Sequence, residues 1–340
     1  MISFRNDYSE GAHPQILDAL VRTNFECTAG YGTDDYCKRA ADALRARFAC
    51  KDADVHFLPG GTITNLTTIA AFLRPWEAVI AAKTGHIYVH ESGAIEASGH
   101  KVYAVDTVDG KLTPSLIREA VMAHRDGTEE HMVLPRLVYI SDSTELGTIY
   151  KKTELCAIRE VCDELGLYLY LDGARMGAAL VAEDNDIAPE DFPKYCDAFY
   201  VGGTKNGLLF GEALVITRDD LKPYFRNVIK QRGAMFAKGR LLGVQFEAFF
   251  RDDLWLKAAE HAVTNAQRLA KGMQDKGIRF YAESTTNQIF PIFENTLMHR
   301  LEKDFIFEFT ANVDETHTAV RFVTSWATAP ESVDALLAAL

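Results

Sequence analysis

No pair of cysteines in this chain has the C-x-x-C spacing of a redox or zinc site. The six thiols, Cys27, Cys37, Cys50, Cys156, Cys162 and Cys196, are scattered, and scattered thiols fit a reducing compartment better than a disulfide framework. No apolar run approaches the roughly 18 residues that a membrane-spanning helix needs. The opening Met1-Ile2-Ser3-Phe4-Arg5-Asn6-Asp7 turns polar at once, which gives the expectation of a cytoplasmic protein without an export signal. Positive charge is also in deficit. A net charge of −12 leaves little long-range attraction for phosphate backbones or anionic membranes, so neither nucleic acid nor membrane is an expected partner. No close group of His, Cys and Asp has ligand spacing, so a metal enzyme is disfavoured and no metal ligand is assigned. Internal repeats, low-complexity tracts and long linkers are likewise missing.

What is present is a chain of 340 residues, 48% hydrophobic and 25% charged, enough for one large domain and a smaller one. Short apolar runs, among them Val55–Leu58, Ala78–Ala81, Lys101–Val105, Arg136–Ile140, Leu167–Leu171, Ala198–Val201 and Ala213–Ile216, alternate with amphipathic helical patterns. That alternation predicts an α/β fold with a mostly parallel, doubly wound sheet. A large domain is expected over residues 1–235. Connecting helices and a smaller α+β domain are expected over 236–340, with strands at Gln288–Phe293, Phe305–Phe309 and Val320–Val323.

In such sheets ligands bind outside the carboxyl ends of the strands, and three chemically distinct groups fall there. Pro59-Gly60-Gly61-Thr62 leads from a strand into a helix, so its free N–H groups and the helix dipole form an anion site. Asp172 ends the strand Leu167–Leu171. Lys205 sits among glycines in Gly202-Gly203-Thr204-Lys205-Asn206-Gly207, after the strand Ala198–Val201. Taken singly each has a plainer reading: Thr62 as an ordinary helix cap, Lys205 as a solvated loop lysine, Arg321 in the last strand as an edge salt bridge. Together they are what pyridoxal 5′-phosphate requires. The amine carries the aldehyde as an imine, the carboxylate keeps the pyridine nitrogen protonated, and the turn holds the phosphate. Arg321 projects opposite Val320 and Phe322, where a guanidinium suits a substrate carboxylate.

Ordered along the whole chain are Tyr31-Gly32 with Asp34-Asp35, Gly61-Thr62-x-x-Asn65, His86 followed by Glu91, Asp109-Gly110-Lys111-Leu112-Thr113-Pro114, Glu145-x-Gly147-Thr148, Asp172-Gly173-Ala174-Arg175, the Lys205 segment and Arg321-Phe322-Val323-Thr324-Ser325-Trp326. In these the chain resembles the threonine aldolase, or β-eliminating lyase, family of fold type I pyridoxal-phosphate enzymes. It looks most like the low-specificity L-threonine aldolases. The resemblance implies an aspartate aminotransferase-like large domain and retro-aldol cleavage of β-hydroxy-α-amino acids to glycine and an aldehyde. It implies that Lys205 carries the cofactor, Asp172 faces the pyridine nitrogen and His86 stacks on the ring. Gly61 and Thr62 then form the phosphate cradle, and Thr204 is a further cofactor-binding position. Arg175 and Arg321 fix the substrate carboxylate, Arg175 also lying against the cofactor, and Asn6 and Tyr31 are further substrate-binding positions. His131 falls at the histidine near the β-hydroxyl and is the expected base, with an ordered water as its rival. The relatives assemble as dimers or tetramers, so a homo-oligomer is expected, with Lys230, Arg232 and Lys238 as cations that reach a neighbour's phosphate. Two positions depart from the family: Asn6 replaces a frequent serine and Tyr170 a frequent histidine. The alternatives are a β-eliminating lyase or phenylserine-type aldolase on the same scaffold, and a cofactor-binding protein without turnover.

Overall fold

The computed structural model describes residues 1–125, 127 and 129–340. Seven strands form the large sheet, in the order Asp54–Leu58, Glu212–Ile216, Ala198–Gly202, Tyr168–Asp172, Leu134–Ser141, Glu77–Ala82, Lys101–Val105. The apolar runs of the sequence form these strands; Lys101–Val105 keeps its bounds, Leu167–Leu171 moves by one residue to Tyr168–Asp172, and the others gain a residue or two at their ends. Neighbours from Ala198–Gly202 to Lys101–Val105 are parallel, as the alternation with helices predicts. Glu212–Ile216 is the exception, running antiparallel to both its neighbours. Residues 203–211 are too few for the dozen or so that a parallel crossover takes, so the chain folds back.

Alternate side chains of the strands feed two cores. Ile80, Val138, Ile140, Leu169, Leu171, Phe199 and Val201 point to one face, where Leu44, Phe48, Ile158, Val161, Phe246 and Trp255 pack against them. Val79, Leu137, Tyr139, Tyr170, Tyr200 and Leu214 point to the other, under Ile69, Phe72 and Phe225. Each large apolar side chain so buried contributes about 1.5–3 kcal/mol. The helices start where the sequence marks them. Asp34 Oδ1 accepts from Cys37 N at 3.0 Å at the head of Asp35–Arg47, and Thr113 caps Pro114–Met122 with Pro114 at its first position. A helix is expected from about Asp220 to Lys230, but it forms only over Phe225–Gln231, because Tyr224 just ahead of it turns left-handed at φ +61° and breaks the helical backbone.

The small domain is a four-stranded antiparallel sheet ordered Glu308–Asn312, His317–Val323, Gln288–Glu294, Phe280–Ala282. Its core draws Ala266, Leu269 and Met273 from the helix Leu254–Asp275. Residue 235, the expected boundary, lies ahead of the helix Arg240–Phe250, whose Val244, Phe246 and Phe249 pack in the large-sheet core. The strand expected at Phe305–Phe309 is two: Phe305–Ile306 pairs in parallel with Ile2–Ser3, and Glu308–Asn312 pairs with His317–Val323. The N-terminal segment claims the first piece, then continues across the domain, with Phe4 O accepting from Val323 N at 2.8 Å. Phe4 is wholly buried against Phe305 and Phe322.

Asp7 completes this clasp. Its carboxylate takes two bonds from Arg175 of the large domain, at 2.7 and 3.0 Å, and one from Asn287 of the small domain at 2.9 Å. Burial alone would raise its pKa, but the Arg175 guanidinium, the Lys205 amine and these hydrogen bonds outweigh it and hold the carboxyl below its ordinary value. Asp7→Asn leaves a buried guanidinium without its counter-charge, and urea unfolding at pH 7 is expected to show a loss of about 3 kcal/mol. Because the native pKa is depressed, the gap between wild type and variant narrows as the pH falls below about 4.

Candidate active site

The carboxyl ends of Asp54–Leu58, Leu134–Ser141, Tyr168–Asp172 and Ala198–Gly202 share one edge of the sheet, and Glu212 enters it from the antiparallel strand. Two cavities open there. An inner one of about 190 Å³ is bordered by Gly60, Gly61, Thr62, Asp172, Thr204 and Lys205. An outer one of about 680 Å³ is bordered by Tyr8, His90, Phe290, Glu308, Phe309 and Arg321. His86, Glu145, Arg175 and Lys205 border both.

Asp172 lies on the floor, 4% exposed. Tyr139 Oη donates to its Oδ2 at 2.6 Å, Asn65 Nδ2 to the same oxygen at 3.0 Å, and Tyr200 Oη to Oδ1 at 2.5 Å. Register places these groups: Tyr139 is opposite Tyr170, and Ser141 opposite Asp172. Burial raises the Asp172 pKa, but the nearby His86 and the three donors more than reverse it, so the carboxylate stays charged at neutral pH. Asn65 also donates to Glu91 Oε1 at 2.7 Å and accepts from Tyr170 Oη at 2.9 Å. His86 Nδ1 lies 2.8 Å from the same Glu91 oxygen, so Glu91 fixes the orientation of the imidazole.

Lys205 stands on a short turn, Thr204–Asn206, directly after its strand. Burial, with the Arg175 charge, lowers its pKa against the opposing pull of Asp7, Asp172 and Glu212, which favours a nucleophilic amine. The turn is anchored by Glu212, which accepts from Thr204 Oγ1 at 2.8 Å and from Gly203 N at 3.1 Å. Burial pushes that carboxyl up to about 8. Across the inner cavity the helix Gly61–Phe72 begins with Gly60 and no side-chain cap. Thr62 is therefore not the capping group of the plainer reading, and the first N–H groups of the helix are left for a ligand. An uncapped anion site, a carboxylate held ionised and a buried amine around one cavity are the donor set that pyridoxal phosphate requires.

Arg321 borders the outer cavity and is also ion-paired, with Glu308 on Nη2 and Gln288 Oε1 3.3 Å from Nη1. Three residues expected at the site are not brought to it within one chain. His131 ends an exposed turn with its side chain 75% accessible and lies 3.7 Å from Glu130. Tyr31 is 46% exposed, carries the Lys230 ammonium 4.6 Å over its ring, and borders a separate 210 Å³ cavity with His56 and Arg226. Asn6 spends its Oδ1 on Tyr8 N and Ser9 Oγ, at 3.1 and 2.8 Å; its neighbour Asp7 reaches Arg175 instead. Asp7, Glu145, Glu212, Tyr139 and Tyr200 were given no role from sequence. Glu212 is an ionisable residue at the head of an otherwise apolar strand, and that contrast marks it in the sequence.

The sequence profile of the β-eliminating lyases matches residues 4–296. A low-specificity L-threonine aldolase of Pseudomonas aeruginosa is 33% identical over 338 residues, covering 97% of this chain and 94% of that one. A solved threonine aldolase structure from Leishmania major superposes with a TM-score of 0.97 at 47% identity, covering 99% of this chain and 98% of that one. An aspartate aminotransferase double mutant from Thermus thermophilus, 15% identical, shares the fold with a TM-score of 0.73 over all of this chain and 90% of that one. The chain therefore belongs to the β-eliminating lyase family, on the fold type I, aspartate aminotransferase-like architecture.

Proposed function

We propose that this enzyme binds pyridoxal 5′-phosphate and cleaves the Cα–Cβ bond of β-hydroxy-α-amino acids, L-threonine and L-allo-threonine among them, giving glycine and an aldehyde. The observation that carries this reading is the pairing of a buried but charged Asp172 with a depressed-pKa Lys205 across one cavity. The cofactor, when bound, supplies an electron sink joined to the substrate nitrogen. The chain's own groups do the rest. Asp172 would keep a proton on the ring nitrogen, His86 would cover the ring, and burial favours the neutral, nucleophilic form of the Lys205 amine. Arg175 and Arg321 face the cavity with guanidinium groups suited to the substrate carboxylate, which would compete with Asp7 and Glu308 for them.

The outer cavity favours a second substrate class. Val89, Leu146, Phe290 and Phe309 line it, giving apolar room for side chains larger than a methyl group, as in phenylserines. We further propose a cytoplasmic homo-oligomer. Free cysteines at Cys27, Cys37, Cys50, Cys156, Cys162 and Cys196 suit a reducing compartment. The exposed Phe25, Tyr31, Phe236 and Leu241 lie on two segments bound together through Arg240 and Ala237, and such an apolar face supports association between copies.

Incubation with L-threonine is expected to give glycine and acetaldehyde; 2-oxobutyrate and ammonia would indicate elimination instead. Lys205→Ala should lose turnover and the visible absorbance of the bound cofactor together, and retained turnover would refute its role. Asp172→Asn, which keeps shape but not charge, should lower kcat by about 100-fold or more, measured with the cofactor at saturation; a change under threefold would contradict the electron-sink reading.

A further inference from the structure

Of the four residues at the junction of the two cavities, His86, Arg175 and Lys205 have roles above and Glu145 has none. Its Oε1 accepts two donors, the His86 backbone N–H and Ser141 Oγ, each at 2.9 Å. Among the described residues no hydrogen bond is made to Oε2. One oxygen is thus anchored between the strand Leu134–Ser141 and the His86 turn, while the other is left for a ligand. The expected base, His131, is solvent-exposed and borders neither cavity.

We propose that Glu145 is the catalytic base that removes the β-hydroxyl proton, an assignment that rests on the retro-aldol reading above. The O–H bond breaks and its proton passes to Glu145 Oε2. The freed electron pair forms the aldehyde C=O, and the Cα–Cβ pair goes to Cα and the sink conjugated with it. Glu145 then passes that proton to the Lys205 amine at the same junction, and the ammonium so formed gives it to Cα as glycine forms, which restores both groups. Burial, reinforced by the charge of Asp172, raises the Glu145 pKa, which makes it a better proton acceptor than an ordinary carboxylate.

Glu145→Gln separates this role from a structural one, because the amide oxygen still accepts from Ser141 and His86 but takes no proton. Two reactions of the cofactor-loaded enzyme are compared: L-threonine cleavage, which needs a base for the hydroxyl, and exchange of the glycine α-hydrogen in deuterated water, which does not. The expected result is a loss of about 100-fold or more in cleavage kcat, with KM, glycine exchange and the cofactor's visible absorbance within about threefold of wild type. Cleavage within threefold of wild type, or cleavage and exchange falling together, would overturn the assignment. So would a selective loss of cleavage in His131→Asn alone, which would return the role to the histidine. Wild type that exchanges glycine but cleaves no β-hydroxy amino acid would sink the retro-aldol reading itself, and Glu145 with it.

Discussion

A carboxylate kept charged out of water is the constraint around which this molecule is arranged. Asp172 is stripped of solvent, which by itself would protonate it, and it remains an anion because Tyr139, Tyr200 and Asn65 aim donors at it beside His86. Each donor comes from a different element, so the charge state reports on the assembly of three strands and a helix. Tyr170 fits the same design: it donates to Asn65, whose amide then has its oxygen occupied and its nitrogen turned toward Asp172 and Glu91.

The opposite pressure acts on Lys205, whose burial favours the neutral amine. Three buried carboxylates near it, Asp7, Asp172 and Glu212, limit that effect, and each is held by a different device. Asp7 is paired with Arg175, Asp172 is surrounded by hydroxyl and amide donors, and Glu212 is pushed towards its protonated form while it anchors the lysine turn. The Asp7 pair also joins the small domain to the large one through Asn287. The contact between the domains and the border of both cavities therefore share Arg175.

Sequence patterns showed the large sheet well because its strands are buried on both faces and read as continuous apolar runs. The turn, acid and lysine at their ends fell at one edge for the same reason. Patterns failed where tertiary pairing decided the outcome. Phe305–Phe309 reads as one strand, yet the N-terminal Ile2–Ser3 takes its first residues. Ala213–Ile216 carries no mark of direction, and only the short return loop makes it antiparallel. Glu145 sat inside a motif without a role because nothing local says that its free oxygen faces a cavity. His131 had the right chemistry, but its turn is placed outside both cavities.

The central claim is that the amine on the Gly203–Gly207 turn is the group that carries the cofactor. Borohydride reduction of the cofactor-loaded protein followed by peptide mass analysis tests it most directly. The account predicts a stable pyridoxyl adduct on the peptide containing Lys205. An adduct on Lys83, the other lysine bordering the outer cavity, or no adduct at all, would contradict it.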